Sequence, residues 1–341
     1  MRIALDATYS LGDELSGVGV YSREILNGLA AGSPDDRWDW FYRSQRYFGA
    51  ARLPKPANVS RRFLSDSWGN RGAEIFHGLN QRLPSRRFRR QIATFHDLFV
   101  LSGEYSTDDF RARFAAQAKE AAAGADLIVA VSAFTASQVE AYLGIPAARI
   151  RVIHHGVISR AIPQRPREKV VLCVGAIQRR KNQARLVRAF RALPEDWMLV
   201  LAGSHGFDAA ETMAAIAASP AAARIRVTGY LSEPEIGEWY GRASIFAFPS
   251  LDEGFGMPVL EAMAAGVPVI ASDRSALPEV CGNAAQLVDP LSDEALAHAL
   301  LRVAGDAALR SELIRRGLLR SREFRWDDAV RRTRTIYRAI V

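Results

Sequence analysis

Residues 243–272 read ASIFAFPSLDEGFGMPVLEAMAAGVPVIAS, and this stretch decides the fold. It begins and ends with short apolar runs that are typical of buried parallel strands. Between them, Pro258 suits the first helical position, because its missing N–H costs nothing there. Gly266 and Pro268 predict the end of that helix. We therefore expect a strand–loop–helix–strand unit whose loop lies at the carboxyl end of a strand, where open α/β sheets bind their ligands.

Two carboxylates flank the glycine-rich corner of this stretch. Glu253 lies before the corner and Glu261 is predicted in the first turn of the helix. Gly254 and Gly256 allow the backbone to approach a ligand and to direct N–H groups at it. The pattern suits a ligand that carries both phosphate and hydroxyl groups. Acidic residues near a helix start and Gly-x-Gly turns also occur for purely structural reasons, so spacing alone leaves that alternative open.

The whole chain of 341 residues, with 49% hydrophobic and 24% charged residues, has the composition of a globular protein with two domains. Strand-like runs alternate with helical stretches, which predicts an α/β fold of two doubly wound parallel sheets. Strands are expected at 2–7, 38–42, 75–77, 91–94, 127–131, 151–154, 170–174, 198–202, 225–228, 245–248, 269–271 and 286–288.

The domain boundaries follow from a change of pattern in the middle of the chain. Residues 158–169 contain prolines and charges without periodicity, which indicates a linker. The first domain is then 1–160 and the second is 169–325. The amphipathic stretch 326–341 is predicted to be a helix that returns to the first domain.

Composition limits the function classes. No apolar run approaches the length of a membrane span, and the chain enters a strand directly after Met1, so we expect neither a transmembrane segment nor a secretory signal. Two cysteines suggest no disulfide framework, and the cytoplasm is the expected location.

The net charge of +8 includes arginine-rich clusters at 82–90 and 61–63 that lie near Phe residues and Trp68. No nucleic-acid-binding module accompanies them, so nucleic acid is not expected as a partner. An anionic membrane surface fits these clusters, which would make the protein peripheral on the inner face of the membrane. A solvated basic face is the structural alternative.

Further chemistry is concentrated at predicted strand ends. After the strand that ends near Gly175, Arg180 and Lys181 precede the helix Gln183–Leu193. Cations at a helix start oppose the helix dipole, so their presence favours a bound diphosphate over a structural role. His96 also follows a strand. It could serve the site, or it could be a buried histidine whose hydrogen bonds are purely structural. The chain has no Asp-x-Asp and no zinc-like Cys/His spacing, so we expect neither a metal nor another cofactor.

The motif Ser16-Gly-Val-Gly-Val-Tyr21 opens a helix after the first strand. It is half of a dinucleotide fingerprint, because a third glycine is missing. Backbone N–H groups at Gly17 and Gly19 suit a phosphate or a sugar, and an ordinary turn is the alternative.

Together these residues resemble a family-4 retaining glycosyltransferase of the two-Rossmann GT-B fold. The resemblance covers nearly the whole chain and is strongest over 229–290, where 229–236, 248–270, 277–280 and 288–290 match the family's motifs. It implies two Rossmann-like domains that face a cleft, with the C-terminal helix returning to the N-terminal, acceptor-side domain.

The resemblance also implies residue roles. Glu253 would contact the hydroxyls of the donor sugar, Glu261 the ribose hydroxyls, and His96 the donor sugar. Arg180 and Lys181 would neutralise the leaving diphosphate. The other residues expected at the donor and its nucleotide are Gly254, Phe255, Gly256, Gly17, Gly19, Gly175, Gly203, Tyr230 and Leu231.

The implied reaction is metal-independent transfer of a hexose with retained anomeric configuration. Similarity to bacterial mannosyltransferases suggests mannose from GDP-mannose, moved onto a saccharide or polyprenyl-diphosphate-linked acceptor in cell-surface polysaccharide synthesis. Two positions depart from the family pattern that implies the residue roles. His155-Gly156 replaces a frequent Asn-Gly, and the usual arginine just after Gly175 is absent, so that Arg179 or Arg180 would have to replace it.

Other enzymes and a non-enzymatic role remain as alternatives. A non-hydrolysing sugar-nucleotide epimerase, or a GT-B enzyme that uses a UDP- or ADP-sugar, would share this architecture. A phosphorylase would need a lysine for pyridoxal phosphate, and the second half offers only Lys169 and Lys181. A polymer-organising protein with a degenerate site is less consistent with intact Glu253 and Glu261. Glu253 as a covalent nucleophile is the competing mechanism.

Overall fold

The computed structural model describes residues 1–12, 14–64, 72–158 and 166–341. It divides into two compact units. The first contains Met1–Gly156 and Arg325–Val341, and the second contains Val157–Phe324. Most of the predicted linker, at 159–165, and Trp68 lie outside the described residues.

The first unit is built on a parallel sheet that has seven strands within the described ranges, in the order β3-β2-β1-β4-β5-β6-β7. This order places the first strand in the middle, as in a doubly wound Rossmann-like sheet. The strands are β1 (Arg2–Asp6), β2 (Arg37–Tyr42), β3 (Val59–Phe63), β4 (Ile75–Gly78), β5 (Arg90–Phe95), β6 (Leu127–Ala130) and β7 (Ile150–Val152).

Helices connect these strands. They are α1 (Gly17–Gly32), α2 (Ser44–Ala50), α3 (Phe99–Ser102), α4 (Asp108–Gly124) and α5 (Ala133–Leu143). The apolar faces of α1 and the sheet bury Ile25, Leu26 and Trp38 in one core. Each such side chain contributes about 1.5–3 kcal/mol when it is fully removed from water.

The second unit repeats the design with a parallel sheet of the order β10-β9-β8-β11-β12-β13 in the described residues. Its strands are β8 (Glu168–Val174), β9 (Met198–Ala202), β10 (Ile225–Gly229), β11 (Ala243–Phe248), β12 (Val269–Ser272) and β13 (Ala285–Val288). Its helices are α6 (Gln183–Phe190), α7 (Ala209–Ala217), α8 (Glu233–Arg242), α9 (Met257–Ala264), α10 (Leu277–Cys281), α11 (Asp293–Gly305) and α12 (Ala307–Ser321).

The last helix, α13 (Trp326–Ile340), packs on α1 in the first unit. Ala329, Thr333 and Tyr337 recur every fourth residue and are buried, which is the spacing of one helical face.

The predicted α/β class with two doubly wound parallel sheets is confirmed. Each of the twelve predicted strands is present, and the edge strand β3 was not predicted. The missed strand contains Arg61 and Arg62 at an edge of its sheet, where charged side chains remove the apolar pattern of a buried strand.

Candidate functional site

The glycine-rich corner lies between β11 and α9, at the carboxyl end of a central strand of the second unit. Gly256 has φ +104°, and an added Cβ would lie 2.6 Å from Leu277 Cδ2, so this position requires glycine. The helix begins at Met257, one residue earlier than predicted, with Pro258 second. Glu261 is therefore the fifth helical residue, and its predicted place in the first turn is wrong.

The centre of the site is an ion cluster that joins this corner to the loop after β8. Glu253 is only 6% exposed. Its Oε1 accepts a hydrogen bond from Lys181 Nζ at 2.5 Å, and its Oε2 lies 3.3 Å from a terminal nitrogen of Arg180. Arg180 also donates to the carbonyl oxygen of Asp252. Three residues expected at the donor thus form one charged group, which we call the Glu253 cluster.

Electrostatics keeps the Glu253 cluster ionised. Burial by itself would raise the pKa of Glu253, but the attraction of Lys181 and Arg180 prevails and lowers that pKa below its usual range. Burial lowers the pKa of Lys181, and the neighbouring Arg180 acts in the same direction against the attraction of Glu253. Two cations share one carboxylate, so the cluster holds one positive charge in excess, which suits an anionic ligand.

A left-handed residue positions the cations. Arg180 and Lys181 lie in a 3₁₀ turn that ends at Asn182, whose φ is +59°. Asn182 Nδ2 donates to the carbonyl oxygens of Pro249, at 3.0 Å, and Pro290, at 2.8 Å. Sequence reasoning missed this role of Asn182. The available signal was its type, since asparagine tolerates the left-handed region and hydrogen-bonds locally.

The other donor-binding candidates of the second unit also follow strand ends. Gly175 follows β8, Gly203 follows β9, and Tyr230 with Leu231 follows β10. An added Cβ at Gly203 would lie 2.1 Å from the carbonyl oxygen of Gly175, so the two loops approach each other as only glycine permits.

Two further candidates lie on or before α9. Glu261 accepts a hydrogen bond from the hydroxyl of Tyr240 at 3.0 Å. Phe255 is buried, with its ring 5.8 Å from that of Phe324. The aromatic ring thus fixes the corner, while the backbone of Gly254 to Gly256 forms the loop before the helix.

His96, Gly17 and Gly19 lie in the first unit. Gly17 is the first residue of α1, and Ser16 Oγ accepts a hydrogen bond from the N–H of Gly19 at 3.3 Å. The predicted helix start is confirmed. These N–H groups belong to the first turn of α1, where the positive end of the helix dipole lies.

His96 is buried in an aromatic group. Its Nε2–H donates to the carbonyl oxygen of Leu79 at 2.9 Å, and its ring stacks on His155 at 5.4 Å and meets the edge of Tyr21 at 4.7 Å. Burial lowers the pKa of His96 to about 4, so the imidazole is neutral near pH 7.

A hydrogen-bonded chain continues from Tyr21 to the last helix. The Tyr21 hydroxyl lies 3.0 Å from the Thr94 hydroxyl, which lies 2.8 Å from His77 Nε2, and His77 Nδ1 lies 2.6 Å from the Tyr337 hydroxyl. Burial lowers the pKa of His77 to about 3. We call these residues, with His96 and His155, the histidine cluster. Sequence reasoning missed His77 and Tyr337, because no local pattern pairs residues 260 positions apart.

Many arginines of the predicted basic cluster at 82–90 have structural partners. Arg87 pairs with Asp126 at 2.8 Å, Arg89 lies 3.8 Å from Glu74, and Arg90 donates to the carbonyl oxygen of Ile340 at the end of α13. In the described parts of the chain, no group of three or more His, Cys, Asp or Glu residues is arranged to hold a metal ion. Over the same ranges, no helix has the length and apolar character that crossing a bilayer requires.

Two Rossmann-like units in one chain are the architecture of the GT-B class of glycosyltransferases. Family models agree with this class along the chain: Glycosyltransferase Family 4 matches residues 16–160 and Glycosyl transferases group 1 matches residues 157–320. The O-antigen chain mannosyltransferase B of Escherichia coli is 31% identical over 285 residues, which cover 78% of this chain and 74% of that protein. The chain therefore belongs to the group 1, family 4 glycosyltransferases.

The chain is also similar to a second mannosyltransferase and to two solved structures. The serotype-specific mannosyltransferase WbdA of Escherichia coli is 29% identical over 224 residues, and the match spans 60% of this chain but only 28% of that protein. Sucrose-phosphate synthase from Thermosynechococcus elongatus superposes with a TM-score of 0.82 at 22% identity, over 99% of this chain and 98% of that one. Anabaena HepE in complex with UDP and glucose superposes with a TM-score of 0.76 at 16% identity, over 99% of this chain and 100% of that one. The two structures support the fold alone.

Proposed function

We propose that this glycosyltransferase moves mannose from GDP-mannose to a saccharide or polyprenyl-diphosphate-linked saccharide during cell-surface polysaccharide synthesis. Transfer would retain the anomeric configuration and need no metal or other cofactor. The observation that carries the proposal is the buried Glu253 cluster at the carboxyl edge of the second sheet. The choice of mannose is supported by the O-antigen mannosyltransferase that shares 31% identity with the chain.

Arg180 and Lys181 are proposed to stabilise the leaving diphosphate. The transition state of glycosyl transfer combines an oxocarbenium-like sugar with negative charge that grows on the phosphate oxygens. Preorganised cations at the position of developing charge are worth about 10²–10³ in rate. The single excess positive charge of the Glu253 cluster is of the sign that this task needs.

Glu253 is proposed to hold the donor sugar through its hydroxyls. Its carboxylate is bound to both cations, which lowers its nucleophilicity and fixes its direction. A covalent role would require it to leave both partners. We therefore favour an orienting carboxylate over a nucleophile, with a phosphate oxygen of the leaving group accepting the proton of the acceptor hydroxyl.

The remaining candidates complete the proposed donor site. Glu261, oriented by Tyr240, would hold the ribose hydroxyls. Backbone groups at Gly175, Gly203 and the corner 254–256 would approach the nucleotide and the sugar, as would Tyr230 and Leu231 after β10. His96, in the first unit, would act as a neutral hydrogen-bonding contact to the sugar, because its lowered pKa keeps the imidazole uncharged near pH 7.

Screening with donors tests this proposal directly. Purified protein is warmed with GDP-mannose, UDP-glucose or ADP-glucose, and binding is measured as a rise in melting temperature. The expected result is the largest rise with GDP-mannose. A larger rise with a UDP- or ADP-sugar would contradict the mannose assignment while leaving the Glu253 cluster as a donor site.

Product analysis tests the reaction. Transfer to a mannose-containing oligosaccharide should continue in EDTA, and NMR of the product should show the same anomeric configuration as the donor. An inverted product would overturn the retaining mechanism. Interconversion of the sugar nucleotide without an acceptor would instead identify an epimerase.

A further inference from the structure

A surface of the first unit, formed by residues 43–64, carries charges of one sign. We call it the 43–64 surface; it contains α2, the loop that follows it and the edge strand β3. The sequence of this segment includes five arginines and one lysine and no acidic residue. A run of this kind creates a strong local positive potential.

Large apolar side chains are exposed on the same surface. Phe48 is 73% exposed, Leu53 50% and Phe63 42%. The ring of Tyr47 lies 5.8 Å from that of Phe48 and 5.9 Å from that of Phe63. Tyr47 therefore contacts both exposed phenylalanine rings. Apolar groups gathered in this way on a charged surface are typical of an interaction site.

Hydrogen bonds hold the segment in one arrangement. Arg61 donates to the carbonyl oxygens of Leu53, at 2.6 Å, and Pro54, at 2.7 Å. Lys55 Nζ donates to the carbonyl oxygen of Val59 at 2.6 Å. These three bonds tie the loop to the edge strand without neutralising either cation, because their acceptors are uncharged carbonyl oxygens.

The basic cluster at 82–90 differs from this surface because its aromatic residue, Phe88, is buried. Arg87 and Arg89 each lie near a carboxylate. On the 43–64 surface, Arg62 pairs with Asp39 and Arg43 lies 3.9 Å from Asp6, whereas Arg46 and Lys55 bond to uncharged carbonyl oxygens. Charged residues on an edge strand can also serve only to prevent pairing with another sheet. That explanation accounts for Arg61 on β3 but not for the exposed Phe48 on α2.

We propose that the 43–64 surface docks on an anionic lipid bilayer. Phe48, Leu53 and Phe63 enter the interface between headgroups and acyl chains, and Arg46, Arg52 and Lys55 contact lipid phosphates. A bilayer offers both an apolar layer and a plane of negative charge, which is the complement of this surface. The inference concerns the first unit alone and does not depend on which sugar the Glu253 cluster binds.

Vesicle sedimentation tests the docking. The full chain is mixed with vesicles of phosphatidylcholine, with or without phosphatidylglycerol, and the bound fraction is measured. We expect binding to the mixed vesicles only, weakened by added salt. The double variant Arg52→Ser/Lys55→Ser should bind about 25-fold more weakly, at about fivefold per removed cation. Phe48→Ser should also weaken binding.

Matched variants separate this surface from general effects. Arg86→Ser/Arg89→Ser removes the same charge from the other basic cluster, and Leu319→Ser removes an exposed apolar side chain from the second unit. Both should bind vesicles like the unchanged protein. Equal binding to neutral vesicles, or unchanged binding of Phe48→Ser and Arg52→Ser/Lys55→Ser, would overturn the proposal. Loss of a dimer in Phe48→Ser with unchanged vesicle binding would also overturn it and assign the surface to a second copy of the chain.

Donor binding provides a separate readout. The melting-temperature rise with a sugar nucleotide should be the same in Phe48→Ser as in the unchanged protein, because the Glu253 cluster lies in the other unit. A failure of vesicle binding is thus distinguishable from a failure of the proposed transferase activity.

Discussion

The Glu253 cluster and the histidine cluster occupy equivalent Rossmann-like units, yet their chemistry is opposite. In the second unit, burial is combined with full charge, because Lys181 and Arg180 share the carboxylate of Glu253. In the first unit, burial is combined with neutrality, because the histidines bond to hydroxyl and carbonyl groups. The same fold therefore supports an ionic and a neutral buried polar network.

The difference follows from what each network contains. A buried charge is tolerated only when the attraction of an opposite charge offsets the cost of its desolvation. The second unit buries Glu253 together with two cations, Arg180 and Lys181. In the described part of the first unit, His77 and His96 bond to hydroxyl and carbonyl oxygens, and burial lowers the pKa of each imidazole. We infer that the ionic network is suited to a charged ligand and the neutral one to positioning.

Removing the shared carboxylate should have the largest effect. Glu253→Ala leaves Lys181 and Arg180 buried without their counter-ion, which should lower the free energy of unfolding by about 3–5 kcal/mol. Chemical denaturation measures this loss. Glu312→Ala is the matched control, since Glu312 pairs with Arg315 and Arg316 on the surface of the same unit and its removal should change stability little. Equal losses in the two variants would contradict the importance of burial.

Removing one cation should mainly reduce catalysis. Lys181→Ala is expected to lower the rate of sugar transfer about 10²–10³-fold, because it removes a preorganised charge from the proposed diphosphate site. The rate is measured at saturating donor. Lys169→Ala is the control, because Lys169 is the other lysine of 169–325 and pairs with Asp196 on the surface. A normal rate in Lys181→Ala would exclude the Glu253 cluster as the catalytic centre.

Acid should weaken the neutral network before the ionic one. The pKa values of His77 (about 3) and His96 (about 4) in the folded protein lie below their ordinary value of 6.5, so the unfolded chain binds protons first. The free energy of unfolding is unaffected by the titration of these two histidines above pH 6.5. It decreases as the pH falls from 6.5 towards 4, by about 1.4 kcal/mol per pH unit for each histidine. The lowered pKa of Glu253 adds a loss only below its ordinary value of 4.5.

Denaturation between pH 7 and pH 5 measures this slope. His77→Gln keeps polar atoms at the site but cannot become an imidazolium, so its stability should fall less steeply with acid than that of the unchanged chain. An identical slope in the two proteins would show that His77 does not carry the effect.

Breaking the last bond of the histidine cluster should have the smallest effect. Tyr337→Phe removes the hydroxyl that bonds to His77 and should destabilise the protein by about 1–3 kcal/mol, because a buried polar atom loses its partner. Urea denaturation measures the change. Tyr142→Phe, at an exposed position on α5, is the control and should be neutral. Equal stability of the two variants would show that the hydrogen bond between Tyr337 and His77 does not stabilise the protein.

The sequence predicted much of the fold because parallel strands are short apolar runs and their helices begin and end at recognisable residues. Gly266, which has φ +66°, ends α9 where predicted, and α13 covers the predicted amphipathic stretch. The edge strand β3 escaped prediction because its exposed side has no need of apolar residues. The start of α9 was misplaced by one residue, which changed the position assigned to Glu261.

The sequence by itself determined the two α/β units, the glycine-rich corner at a strand end and the residue types available for chemistry. These depend on local periodicity, turn residues and helix termini, which act within a few positions along the chain. Only the tertiary structure decided that Glu253 bonds to Lys181, 72 positions away, and that His77 bonds to Tyr337. Such pairs form because the tertiary fold brings together strands, loops and helices that are far apart in the chain. Burial then makes each charge or hydrogen bond depend on the partner it finds there.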